Sequence, residues 1–137
     1  MKDIIISDEY KKPELYYLAK LPIAVNSKLM LIELHCIIYI EAYSSYSKIY
    51  TTKKDDPFLS SKNIGYFEKQ LPNHSFLRIH NSYIINLNEI TCILREHRWQ
   101  IEIRNGKTIN VSDDKKSELL KKLGLENHDS LCDRTNG

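Results

Sequence analysis

Arg78, His80, Asn81 and Ser82 place four polar groups within a five-residue stretch. Phe76, Leu77 and Ile79 interleave with or precede them, and Tyr83, Ile84 and Ile85 follow. Such a segment is anchored by its apolar residues and leaves a few polar groups to project. An arginine donates to phosphate oxygens, and an asparagine can meet a base edge or a backbone oxygen. The same residues also suit a structural network, with Arg78 paired to a carboxylate and His80 bonded at the edge of the core. Tyr46, Ser47 and Lys48 pose the same choice. They suit a loop that enters a groove or touches a phosphate backbone, and equally a solvated strand start. Lys53, Lys54, Lys115 and Lys116 add positive charge, but Asp55, Asp56, Asp113 and Asp114 lie beside them and cancel much of the distant field.

Catalytic patterns are weaker. No Gly-x-Ser-x-Gly elbow occurs. His80 and Ser82 would share a strand face, with Glu89 or Glu41 as an acidic third member, but no oxyanion hole is evident. For metals, His35-Cys36 lacks partners at useful spacing, and nothing in the sequence brings His80, Cys92 and His97 together. The reading is therefore not an enzyme, with no cofactor and no metal. Three cysteines, Cys36, Cys92 and Cys132, make an odd set without a close pair. That argues against a disulfide framework and for a reducing, cytoplasmic setting. Residues 1–14 have no apolar signal core, and the longest apolar run, around Ile37 to Ile40, is far too short to cross a bilayer.

A chain of 137 residues supports one hydrophobic core. With 42% apolar residues and a net charge of only +2, it is neither disordered nor strongly basic, so any affinity for nucleic acid must come from local arrangement. Residues 1–26 read as a short leader, regulatory or dimer-forming. Ile4 to Ile6 could form a strand there, and Leu15 to Ala19 a helical turn or two that stops near Pro22. From Ile23 to Val111 the pattern is mainly strands. Leu29 and Leu31 alternate with Met30 and Ile32, and Ile37–Ala42 and Ser47–Thr52 are rich in β-branched and aromatic residues. The segment Ala42 to Tyr46 reads as the turn between them. A helix is expected over about 62–70, capped by Ser60 or Ser61, with Ile64, Phe67 and Leu71 as its apolar stripe. Strands return at Phe76–His80, Tyr83–Asn86, Thr91–Arg95, Gln100–Arg104 and Thr108–Val111. Asn105-Gly106 turns the last two into a hairpin. A closing helix is expected over Asp113–Leu123, capped by Ser112 and stopped by Gly124, before a polar tail at 125–137. The connections are too short for parallel crossovers, so the architecture should be antiparallel with two helices attached.

The ordered residues resemble one family. Ile37-Ile38-Tyr39-Ile40-Glu41-Ala42 followed by Tyr46-Ser47-Lys48-Ile49 is similar to the opening half of the LytTR DNA-binding domain. The run from Phe76 to Asn86 resembles its most recognisable motif, and Asn105-Gly106 with Ile109-Asn110-Val111-Ser112 resembles its closing hairpin. The resemblance extends from about Ser27 to Leu123, within a domain at 27–124. It implies a mainly β fold, an elongated arrangement of small antiparallel sheets with a short connecting helix and a C-terminal helix. It implies a bacterial transcription regulator, here a stand-alone one, that sets loops into successive major grooves of duplex DNA. Repeated half-sites and a homodimer follow from the limited surface of one small module, and no membrane partner is implied. The family pattern puts DNA contacts on Ser47-Lys48, on Asn81, and at the start of the last helix. Tyr46, Arg78, His80 and Ser82 lie among the matching residues, and Glu41 matches as a structural residue. Two departures stand out. Asn81 occupies a commonly basic position, and Asp113-Asp114 stand where the family commonly has arginine or lysine, so that the third contact is either lost or passed to Lys115 and Lys116. A protein-interaction module of the same fold, without direct DNA binding, is the alternative.

Overall fold

The computed structural model describes residues 19–125. The expectations for Ile4 to Ile6, Leu15 to Leu18 and the tail beyond Leu125 fall outside these residues. Strand β1 (Lys20–Val25) turns at Asn26-Ser27 and pairs in antiparallel register with β2 (Lys28–Glu33). Asn26 takes φ 57°, a conformation that asparagine tolerates better than most residues. Pro22 therefore lies inside a strand. It is accommodated because β1 is paired on one side only. The hairpin also carries the fold across position 26, since Leu21 and Ile23 are core residues.

Five strands form the central sheet, in the order β5-β4-β3-β7-β6, all neighbours antiparallel. They are β3 (Ile37–Tyr43), β4 (Tyr46–Thr51), β5 (Phe58–Ser60), β6 (Phe76–His80) and β7 (Tyr83–Asn86). A second, three-stranded sheet runs β10-β9-β8, from β8 (Ile90–Leu94), β9 (Gln100–Ile103) and β10 (Thr108–Asn110). The β9–β10 connection uses Asn105-Gly106 as expected, with Gly106 at φ 91° and the Asn105 side-chain oxygen accepting from the Lys107 amide at 2.9 Å.

Alternation along the central strands feeds two cores. Ile40, Ile49, Ile84 and Phe76 face one way, against Leu21, Ile23 and Ile32 of the hairpin and against Phe67 of helix α1 (Ile64–Gln70). Tyr39, Ile85, Leu77 and Ile79 face the other way, against Ile101, Ile103 and Ile109 of the second sheet and Leu119 of helix α2 (Lys116–Lys122). The result is three layers, with the five-stranded sheet covered on both faces. The mainly β, antiparallel architecture with two short helices matches the expectation from the sequence.

Helix termini differ from expectation. The cap of α1 is Asn63, whose side chain accepts from the Tyr66 amide at 3.0 Å. Ser60 instead accepts from the Lys62 amide at 3.1 Å, closing the turn before the helix. The closing helix is split into a 3-10 turn over Asp113–Lys115 and α2, and Ser112 makes no side-chain capping bond. The Ser112 amide donates to the Ile79 carbonyl at 2.8 Å, so this segment is stitched to β6.

Asn86 locks the centre of the sheet. Its side-chain amide donates to the Ile37 carbonyl at 2.9 Å, its oxygen accepts from the Asn88 amide at 3.0 Å, and it is buried. Asn86→Ala leaves both backbone groups without these partners. We expect a loss of about 1–3 kcal/mol in unfolding free energy, read from the shift of a urea denaturation midpoint.

Candidate nucleic-acid interface

Two tight turns emerge side by side at one end of the central sheet. Ser44-Ser45 joins β3 to β4, with Ser44 at φ 58°, and Asn81-Ser82 joins β6 to β7. The Ala42 amide donates to the Ser82 carbonyl at 2.8 Å and fastens one turn to the other. The Ser112 bond to Ile79 brings the start of the last helix to the outer edge of the same end. The three segments singled out in the sequence therefore lie in succession along one end of the fold.

Strand register defines a row across the sheet beside these turns. Leu59 pairs with Lys48, Lys48 with Glu41, Glu41 with Tyr83, and Tyr83 with His80, one residue from each of the five strands. Directly paired residues share a face. Tyr43 and Tyr46 form the next pair towards the turn. Tyr43, Tyr46 and Leu59 are 54%, 45% and 50% exposed, so this end of the face lies beyond the cover of the second sheet. The Lys48 ammonium sits 4.1 Å from the centre of the Tyr43 ring, which holds its charge over the turn.

Glu41 organises the middle of the row. Its two carboxylate oxygens accept from the hydroxyls of Tyr50 at 3.4 Å and Tyr83 at 3.2 Å. Tyr50 stacks on Tyr39 with ring centres 4.4 Å apart. Burial, reinforced by the Glu41 charge, raises the pKa of the Tyr50 and Tyr83 hydroxyls. Burial, with Tyr50 and Glu41 adding to it, does the same for Tyr39.

The candidate residues divide into supports and projecting groups. Ser47 is fully buried and its hydroxyl donates to the Lys62 carbonyl at 2.8 Å. It cannot reach a base without unfolding, which corrects its placement on a projecting loop. The turn is shorter than expected because Tyr43 and Tyr46 already belong to strands. Arg78 donates to Glu68 at 2.9 Å and to the Asn81 carbonyl at 2.6 Å, the structural alternative noted from the sequence. The His80 Nδ1 accepts from the Ser82 amide at 3.1 Å, so the neutral ring carries its proton on Nε2. Tyr46, Lys48 and Asn81 remain outward, with Asn81 exposed at the tip of its turn. Lys115 pairs with Glu118 at 3.6 Å, and Lys116 pairs with Asp113 at 3.2 Å while lying 5.3 Å from the Trp99 ring centre. Tyr43 reads in the sequence only as part of the turn, not as a site residue, whereas it ends β3. A two-residue turn would have placed it opposite Tyr46.

The hydrolytic constellation does not assemble. Glu41 is engaged by tyrosines, and Glu89 is buried against Arg104 at 3.4 Å, so neither orients His80. Among the described residues no helix is long and apolar enough to cross a membrane.

The fold and its projecting turns define a small antiparallel β module. Residues 27–124 match the LytTR DNA-binding domain, and the chain belongs to that family of DNA-binding modules. A sensory transduction protein LytR of Staphylococcus saprophyticus is 29% identical over 107 residues, covering 77% of this chain and 41% of the relative. A sensory transduction protein LytT of Bacillus anthracis is 26% identical over 108 residues, covering 77% and 43%. The chain thus spans about two-fifths of the length of these curated relatives. A solved LytTR DNA-binding domain from Bacillus cereus has the same fold, with a TM-score of 0.64 at 24% identity over 77% of this chain and 97% of that one.

Two outcomes test the assignment of supports. Ser47→Ala removes the donor to a carbonyl beside the core, and should cost about 1–3 kcal/mol of stability in urea unfolding. The raised tyrosine pKa values mean that the fold holds these phenolic protons more tightly than the unfolded chain does. Their stabilisation is complete below the ordinary tyrosine pKa of about 10 and is lost as pH climbs through the raised values. Glu41→Gln removes the nearby negative charge, so the onset of tyrosinate absorbance should move to lower pH.

Proposed function

We propose that the protein binds duplex DNA in a sequence-specific manner through the turn-bearing end of the central sheet, and acts as a transcription regulator. The observation that carries this reading is the joining of the Ser44-Ser45 and Asn81-Ser82 turns by the Ala42–Ser82 bond, with Lys48, Tyr46 and Asn81 outward. A major groove about 12 Å wide admits a two-stranded ribbon. The row from Leu59 to His80 crosses four strand spacings, roughly 19 Å at about 4.8 Å each. It is wider than the groove, so a ribbon tip seated in the groove leaves flanking residues near the phosphates on either side. Asn81 then reads a base edge or backbone oxygen, while Lys48 and the His80 Nε2 proton face phosphate. Arg78 and Ser82 shape the turn. Lys115 and Lys116, already paired with acids, contribute less. Repeated half-sites bound by two copies, spaced near one helical turn of about 34 Å, supply the specificity that one small module lacks.

Family membership and the name of the solved Bacillus cereus domain support DNA binding. The residue assignment rests on geometry and charge. Selection of duplexes from a random pool, followed by affinity measurements over a range of salt, tests both. Affinity should fall as salt rises, and Lys48→Ala should lower the slope of log affinity against log salt by about one. Asn81→Ala should cost about 1–3 kcal/mol on the selected duplex and relax the preference at one position. Salt-independent binding, or variants that bind like the parent, would overturn this interface. No duplex binding together with tight association with another regulator would instead support the interaction-module alternative, which the exposed Asp113 and the acid-paired lysines favour.

A further inference from the structure

The connector between β2 and β3 carries a second chemistry, at the other end of β3 from the turns. Glu33 closes β2, and the 3-10 turn Leu34–Cys36 leads into β3. The Cys36 thiol lies 3.7 Å from Glu33 Oε1, and His35 Nε2 lies 3.6 Å from the same oxygen. All three ligand atoms lie within 4.8 Å of one another. From adjacency in sequence His35-Cys36 lacked partners; the turn supplies one by folding Glu33 back.

We propose that Glu33, His35 and Cys36 form a binding site for a borderline divalent cation of the zinc type. Tetrahedral zinc holds sulfur at about 2.3 Å and nitrogen or oxygen at about 2.0–2.2 Å, which sets ligand atoms roughly 3.3–3.6 Å apart. Two of the three edges are already within a few tenths of an ångström of that range. The third closes by rotation of the His35 side chain, which is 78% exposed. Thiolate, imidazole and carboxylate together select zinc or cobalt over magnesium and calcium, which prefer all-oxygen sites. A three-ligand set leaves a fourth position for water.

The backbone of the turn is fixed before any ion arrives. The Leu34 amide donates to the Ala19 carbonyl at 3.1 Å, and the Thr52 amide donates to the Cys36 carbonyl at 2.8 Å. Cys36 is buried, so its sulfur is held in place, whereas Glu33 and His35 keep the approach open. Binding replaces the thiol proton: the sulfur–hydrogen bond breaks, a sulfur–metal bond forms, and one proton passes to solvent. No oxidant or reductant takes part. The bound ion would pin the end of β2 to the last residue of the 3-10 turn that leads into β3. Seven strand residues separate it from the Ser44 turn, about 23 Å of extended chain, so it is independent of the proposed DNA surface.

The test is titration of the full chain, reduced, with cobalt(II) as an optical probe and zinc as competitor. The expected result is one equivalent bound, with visible bands of tetrahedral cobalt, a near-ultraviolet thiolate-to-cobalt band, and loss of both on adding zinc. Cys36→Ser should abolish the thiolate band. His35→Ala should weaken cobalt binding at least about tenfold, since loss even of groups that only support ligands costs 10–100-fold. Cys92→Ser should change nothing. His35 lies on the surface, so its variant remains informative if Cys36→Ser folds poorly. Absence of a thiolate band in the parent chain, its persistence in Cys36→Ser, or unchanged affinity in His35→Ala would each overturn the site. None of these readouts depends on DNA.

Discussion

The fold depends on β3 being buried on both faces while its end must remain open. Ile37 and Ile40 face the hairpin and α1, and Tyr39 faces the second sheet. A strand covered twice cannot slip in register, because a one-residue shift would exchange the contents of the two cores. The bulge between Ile37 and Tyr39 fixes that register further, and the Asn86 bond to Ile37 ties the bulge to β7. Rigidity at the covered end carries through the strand to the turns at the uncovered end. Short turns on a stiff sheet keep their spacing, as the proposed duplex-binding surface requires.

Polar groups at the boundary between covered and open regions carry out this transfer. Glu41 sits where the second sheet stops, and an isolated carboxylate there would lose hydration without recompense. Two tyrosine hydroxyls compensate, one from each neighbouring strand, and in doing so brace β4 and β7 against β3. Arg78 acts similarly one strand further out. Its guanidinium links α1, through Glu68, to the carbonyl of Asn81. Bound in this way it shapes the Asn81 turn, and a phosphate would have to compete with a 2.9 Å ion pair for it.

Much of this was legible in the sequence. The alternation in β2, the Asn105-Gly106 hairpin, the apolar stripe of α1 and the extent of the family motif all appear as local patterns, and local patterns follow from one or two neighbouring residues. What sequence could not supply were pairings between distant segments. Ser47 reads as a loop hydroxyl until β5 and the start of α1 close over it. Ser60 and Asn63 are both good caps, and only the path of the chain decides between them. Glu33 illustrates the same limit on a short range. Its distance from Cys36 is set by the 3-10 turn, and residue spacing alone does not reveal that turn.

The last helix shows how fold and charge can part company. Its segment reaches the same end of the molecule as the two turns, because the Ser112 amide completes an edge bond on β6. Its chemistry does not match that position. Asp113 is 95% exposed in its side chain, and the two lysines that follow face carboxylates or an aromatic ring. Phosphates approaching this corner meet a carboxylate first, and each lysine must leave a partner before it can bind one. Both effects are strongest at low salt, where the attraction that brings duplex and protein together is also strongest. The third element is thus placed by backbone hydrogen bonding and then held back by its own side chains, so the proposed interface rests on the two strand turns.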